Sequence, residues 1–132
     1  MANNLQLKII TPTRVMLDSP VDGVVMRTID GDVGILSFHQ PIITILDYGV
    51  LTVRLNGKQE KAALLGGFAE VKENVLNIFT DSAQWSDEID ELRAKRAAER
   101  AYNRLKEADE NIDIIRAEIA LKKALTRIKA KG

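Results

Sequence analysis

The stretch TVRLNGKQEKAALLGGFAEVKENVLNIFT, Thr52 to Thr80, decides how the larger part of the chain folds. Two alternating runs flank Asn56-Gly57, and both of these residues tolerate positive φ, so the pair predicts a type I′ hairpin turn. Glu73-Asn74 reads as a second tight turn. Gly66-Gly67 marks a bend or bulge where backbone must approach closely. Toward the N-terminus, short segments rich in Val, Ile and Leu recur between Gly, Asp, Asn and Pro at the spacing of a sandwich or barrel. The candidate strands are Leu5 to Thr11, Val15 to Leu17, Val21 to Thr28, Val33 to Leu36, Ile42 to Leu46, Val50 to Leu55, Lys58 to Leu65, Phe68 to Lys72 and Val75 to Thr80. About nine to ten short strands are too many for a flat sheet. Residues 1–85 are therefore expected to form a flattened β-sandwich or barrel.

After Trp85 glycine disappears until Gly132, and Ala, Glu, Lys, Arg, Leu and Ile take over. That is helix-forming composition, and the apolar period changes from two to 3.6. Ser86, followed by Asp87, Glu88, Asp90 and Glu91, is the expected N-cap of a first helix, with acidic residues at the positive end of its dipole. The pattern breaks at Asp109-Glu110-Asn111 and restarts, so residues 86–132 are expected to be an antiparallel two-helix hairpin. The first helix gathers Ala94, Ala98, Ala101, Leu105 and Ala108 on one narrow face. Such a seam is mostly methyl groups, and at about 25 cal/mol per Å² of apolar surface it is weakly held. The second helix has two apolar faces, one carrying Ile114, Ala117, Leu121, Ala124, Leu125 and Ile128, the other Ile112, Ile115 and Ile119. The second face requires a further surface, either the β domain or another chain.

The 132 residues suit one real core, and with only six aromatic residues that core must be filled by Val, Ile, Leu and Ala. Nineteen basic residues balance nineteen acidic ones, which argues against a general nucleic-acid binder. The basic residues are concentrated in the tail, with six Lys or Arg against two Asp or Glu from Ile112 to Gly132. Without cysteine there are no disulfides or thiolate metal sites, and a single histidine, His39, makes neither a metal cluster nor a convincing triad. No catalytic residue and no metal ligand is assigned. No window approaches the roughly 20 apolar residues needed to span a bilayer. Trp85 and Tyr102 read as packing or hinge residues.

Helical projection places Arg93, Arg96, Arg100 and Arg104 along one stripe of the first helix, and Arg116, Lys123 and Arg127 along one stripe of the second. Guanidinium groups present planar forks of donors that suit phosphate oxygens, which makes a nucleotide phosphate a candidate ligand. The competing reading is a solvated face balanced by Glu99 and Glu107.

The strings DGDVGILSFHQP (Asp30 to Pro41), LGGFAEV (Leu65 to Val71) and IDELRA (Ile89 to Ala94) together resemble the epsilon subunit of F-type ATP synthases. The resemblance implies a non-catalytic central-stalk subunit whose sandwich binds the gamma subunit and rests on the ring of c subunits. It further implies a hairpin that folds down on the sandwich or extends toward the catalytic alpha and beta subunits, where it blocks ATP hydrolysis. Asp32 and His39 match family positions in the loop facing the ring and stalk, although Ser37 and Phe38 stand where the family has Pro-Gly. IDELRA resembles an ATP-binding signature, which implies ATP as a regulatory ligand, with no other cofactor, at Ile89, Asp90, Arg93, Ala94, Arg100, Lys123 and Arg127. Gln84 replaces a glutamate of that signature and Lys123 an arginine, and lysine loses the bidentate fork, so weaker binding, or none, is expected. The resemblance also implies a place on the cytoplasmic side of the cell membrane, reached through partners alone. The alternatives are a stand-alone ATP-sensing module and a nucleic-acid-binding β-barrel. The latter lacks stacking aromatics.

Overall fold

The computed structural model describes residues 5–36, 41–107 and 111–132, apart from the side chains of Asn111 and Ile112. His39, Ser37, Phe38, Ala108 and the Asp109-Glu110 break lie outside the described residues. The strands are β1 (Leu5–Ile10), β2 (Val15–Val21), β3 (Gly23–Thr28), β4 (Gly31–Leu36), β5 (Ile42–Leu55), β6 (Lys58–Lys72), β7 (Val75–Phe79) and β8 (Ala83–Trp85). A 3-10 turn, Ser86–Glu88, leads into α1 (Glu91–Glu107) and α2 (Asn111–Lys131). The strand order is β2-β1-β7-β6-β5-β3-β4, with β8 added to β6. Among the described strands only the β1–β7 pairing is parallel.

The nine named segments resolve into seven strands because two pairs of them fuse, and β8 makes the eighth. Ile42 to Leu46 and Val50 to Leu55 are the two ends of β5, while Lys58 to Leu65 and Phe68 to Lys72 are the two ends of β6. β8 falls where no strand is expected. Both tight turns form as read: Asn56 and Gly57 stand at φ 53° and 76°, Glu73 and Asn74 at 53° and 64°.

A β-strand alternates its side chains between two faces, so a continuous strand serves only one layer of a sandwich from each face. The β5–β6 ribbon escapes this limit by switching parity. In β6 the core-facing residues are Ala62 and Leu64 before the glycine pair and Ala69 and Val71 after it. In β5 they are Leu46 before the opposite bend and Leu51 and Val53 after it. One bent ribbon therefore lines both walls of the core, together with Leu5, Leu7, Ile9, Met26, Ile35, Leu76 and Ile78. Gly67 makes this possible. It sits at φ +107°, and a β-carbon there would stand 1.9 Å from the Phe79 carbonyl oxygen.

The start of α1 differs from the sequence expectation. Asp90, not Ser86, caps the helix, its Oδ1 accepting the Arg93 backbone N–H at 3.0 Å. Ser86 lies in the 3-10 turn, whose Glu88 side chain reaches back to accept the Trp85 N–H at 2.9 Å. α1 packs on α2, and α2 packs on β5 and β6. Ala94 and Ala101 on α1 and Ala117 and Ala124 on α2 are buried, which makes an alanine seam. At about 0.8 kcal/mol per buried methyl-sized group, those four side chains contribute on the order of 3 kcal/mol. Trp85 packs on the sandwich core, whereas Tyr102 is exposed on α1 with the Lys106 Nζ 4.7 Å from its ring centre. Tyr102 is thus a surface residue, contrary to the packing or hinge role read from sequence.

Advancing about 100° per residue, Ile115, Ile119, Thr126 and Ala130 share one face of α2. The C-terminal members are covered by the sandwich: Ala130 is buried in a small cluster with Ala63 and Ile89, with Val50 against it. The N-terminal members are not, since Ile115 is 56% exposed and Ile119 39%. The β domain therefore covers the C-terminal continuation of this face and not Ile115 or Ile119, the described members of the second apolar face.

The glycine at the parity switch is open to test. Gly67→Ala is expected to lower the unfolding free energy by about 3 kcal/mol, because positive-φ strain and a backbone collision coincide. Gly57→Ala, whose added methyl meets nothing within 4 Å, is expected to lose about 1 kcal/mol through backbone strain alone. Urea denaturation of the two variants measures the contrast, and equal losses would contradict the assignment of Gly67.

Candidate functional site

β8, the 3-10 turn, the first turns of α1 and the C-terminal half of α2 enclose a cleft of about 270 Å³. Gln84, Glu88, Ile89, Asp90, Arg93, Ala94, Ala97 and Arg127 line it. Five of the residues singled out in the sequence, Ile89, Asp90, Arg93, Ala94 and Arg127, thus meet in one place. Arg100 lies in an adjoining cleft with Asp90, Leu92, Arg93 and Arg96. Lys123 is half-buried one turn ahead of Arg127 and lines neither cleft.

Local structure explains the convergence. Ile89 is buried against Ala63 and Ala130, which fixes the linker on the sandwich and sets Asp90 at the mouth of α1. The Arg127 Nε donates to the Gln84 Oε1 at 2.7 Å, tying α2 to β8. One turn further, the Lys131 Nζ donates to the Ser86 carbonyl at 3.0 Å. These two bonds and the small Ala63–Ile89–Ala130 cluster hold the end of α2 against the β domain.

The cleft lining carries two carboxylates and two arginines, arranged so that, among the described residues, the arginines are left without a carboxylate partner. Burial, with the Arg93 charge nearby, pulls Arg127 below the ordinary arginine value. Among the described residues no carboxylate pairs with Arg93 or Arg127. Both acidic residues of the cleft are engaged elsewhere. Asp90 is committed to the helix cap, and Glu88 is gripped by Arg14 from the β1–β2 loop, with Nη1 to Oε2 at 3.0 Å and Nη2 to Oε1 at 2.8 Å. The Arg14 hydrogen bond, helped by the Trp85 N–H, holds Glu88 below the usual carboxylate range and raises Arg14 above its own. None of the lining side chains is a hydroxyl, thiol or imidazole. Two arginine side chains without a carboxylate partner among the described residues are the groups this lining offers to a ligand.

Asp32 sits elsewhere, exposed on edge strand β4 directly opposite Arg27, with 3.4 Å between its Oδ1 and the Arg27 Nη1. His39 lies outside the described residues, so no geometry joins it to Asp32. Sequence reading missed Arg14 altogether. Its partner is 74 residues away, and a lone arginine in a short loop carries no periodic or motif signal.

A family model described as "ATP synthase, Delta/Epsilon chain, beta-sandwich domain" matches residues 4–86. A second, the "long alpha-helix domain" of the same chain, matches residues 87–132. An ATP synthase epsilon chain of Desulforamulus reducens is 45% identical over 130 residues, covering 98% of each chain. A chloroplastic epsilon chain of Calycanthus floridus is 37% identical over 126 residues, 96% of each. Among solved structures, the Euglena gracilis mitochondrial ATP synthase, OSCP/F1/c-ring in rotational state 1, holds a chain that superposes with a TM-score of 0.89 at 27% identity. The match covers all of this chain and 84% of that one.

The Arg14–Glu88 pair carries a pH signature. Because the folded Glu88 is depressed, its stabilisation is fully present above the unfolded carboxylate pKa and is lost as pH falls through the lower folded one. The pair is partly exposed, so its contribution is screened and stays within about 1 kcal/mol. Glu88→Gln is expected to destabilise the chain by that amount at pH 7 and to make no difference in strong acid. Denaturation at both pH values checks this; a loss independent of pH would exclude the ion pair as its cause.

Proposed function

The chain belongs to the ATP synthase delta/epsilon family, and we propose that it is a rotor subunit of the central stalk, non-catalytic itself, that brakes ATP hydrolysis. In this reading the domain of residues 1–85 joins the gamma subunit to the c-ring, with Asp32 and His39 on the side that meets them. The hairpin of residues 86–132 is the movable part. It lies down on the sandwich or stands up between gamma and the catalytic alpha and beta subunits. The basic end of α2 suits an acidic surface there, because complementary charge sets register and on-rate.

The observation that carries the proposal is the partly covered apolar face of α2. Thr126 and Ala130 rest against the β domain while Ile115 and Ile119 on the same face remain exposed, so the helix still has surface for a second docking site. Its attachment to the sandwich is correspondingly light, the small Ala63–Ile89–Ala130 cluster and a few polar bonds. An element held this way changes places at small cost.

ATP is the proposed ligand of the arginine cleft, and it favours the folded-down hairpin because Arg93 of α1, Arg127 of α2 and the linker meet there only in that state. Arg100 in the adjoining cleft reaches the same triphosphate, and Lys123 contributes charge from one turn away. The replacement of a glutamate by Gln84 leaves the Arg127 anchor neutral, and Lys123 lacks the arginine fork, so the affinity is moderate. Among the described residues no helix is long and apolar enough to cross a membrane. We place the chain at the cytoplasmic face of the cell membrane, held there by its partners.

Two measurements test this. Full-length chain added to a catalytic head lacking this subunit is expected to suppress ATPase activity, and a chain ending at Ser86 to leave it unsuppressed; equal suppression by both would remove the hairpin as the brake. In calorimetric titration, Arg93→Ala and Arg127→Ala are each expected to weaken ATP binding about tenfold, the size of one lost charge-assisted contact. No heat at millimolar ATP from the unaltered chain would end the nucleotide part of the proposal.

A further inference from the structure

The cleft contains two carboxylates and two arginine side chains, yet no carboxylate pairs with either arginine. Left to itself, a cleft of this composition would neutralise its own charge. Glu88 is the residue placed to do so: Asp90 is fixed by the helix cap, while Glu88, whose Oε1 also accepts the Trp85 N–H, has a longer stem and lines the same cleft as Arg127. The Trp85 N–H holds one of its oxygens, and the stronger restraint on both is a residue outside the cleft. Arg14 holds both oxygens of Glu88 in a bidentate fork and spends a further donor on the Ala83 carbonyl at 3.3 Å, so its guanidinium is itself fixed on the sandwich. Fork geometry is specific as well as strong, because both N–H groups must align with both oxygens.

We propose that Arg14 is a positioning residue for anion binding: by sequestering Glu88 it keeps Arg93 and Arg127 available to a nucleotide phosphate. The inference rests on the nucleotide reading of the cleft. Arg14 touches no ligand. Its effect passes through Glu88, which in its absence turns to Arg127 and competes with phosphate for the same donors.

The distinguishing experiment is a double-substitution series on the full-length chain, read by ATP titration calorimetry. Arg14→Ala is expected to weaken ATP binding about tenfold, Glu88→Gln to bind at least as tightly as the unaltered chain, and Arg14→Ala with Glu88→Gln to regain the unaltered affinity within about twofold. A role for Arg14 in holding the linker alone predicts no rescue, so a double variant as weak as Arg14→Ala overturns the proposal, as does unaltered affinity in Arg14→Ala. Should the unaltered chain take up no ATP, the nucleotide reading fails by itself, and the positioning claim is then decided by denaturation. In the Arg14→Ala background Glu88→Gln and Arg127→Ala are expected to be coupled, and in the native background additive; additivity in both overturns it.

Discussion

The close approach of Gly67 to the Phe79 carbonyl governs the rest of the structure. A ribbon of two long paired strands would ordinarily present one face to a core and one to water. Here the backbone bends at the glycine pair and at the opposite Asp47, and side chains that pointed outward before the bend point inward after it. Both walls of the core then come from the same ribbon, and the outward face of the half next to the Asn56-Gly57 turn is left free to receive α2 at Val50 and Ala63. Without the bend there would be neither an enclosed sandwich nor a floor for the hairpin.

A second constraint is electrostatic and lies at the junction. Ile89 anchors the linker through burial, Asp90 is consumed by the α1 cap, and Glu88 is consumed by Arg14. The arginines of the cleft are thereby left to a neutral acceptor, Gln84, and to whatever anion arrives. Glutamate at position 84 would hold Arg127 more firmly but would also supply the negative charge that a phosphate otherwise brings. Gln84 therefore leaves Arg127 hydrogen-bonded but without a counter-charge among the described residues.

Much of this was legible in the sequence where the signal is local. The Asn56-Gly57 and Glu73-Asn74 turns, the bend at Gly66-Gly67, the change of period after Trp85 and the alanine seam all depend on residues near one another in the chain, and all appear in the structure. So does the grouping of Ile89, Asp90, Arg93 and Ala94, which one helical turn brings together. What escaped depends on long-range geometry. Fusion of four short runs into two strands required knowing that a bend is not a break, and the cap at Asp90 rather than Ser86 required knowing that Glu88 was already held by Arg14. Tyr102, expected as a packing or hinge residue, lies exposed on α1 beside Lys106. Lys123 shares a stripe with Arg127, but α2 turns it away from the lining of the cleft.

The alanine seam has a thermal consequence. Heat capacity of opening scales with the apolar area exposed, and methyl groups expose little. Separation of the hairpin from its seats would thus carry a far smaller heat-capacity change than unfolding of the Val- and Leu-filled sandwich. In the proposed switch the balance between compact and open forms would rest on charge and bound anions, and its free energy would change almost linearly with temperature where the core's own stability curve bends strongly.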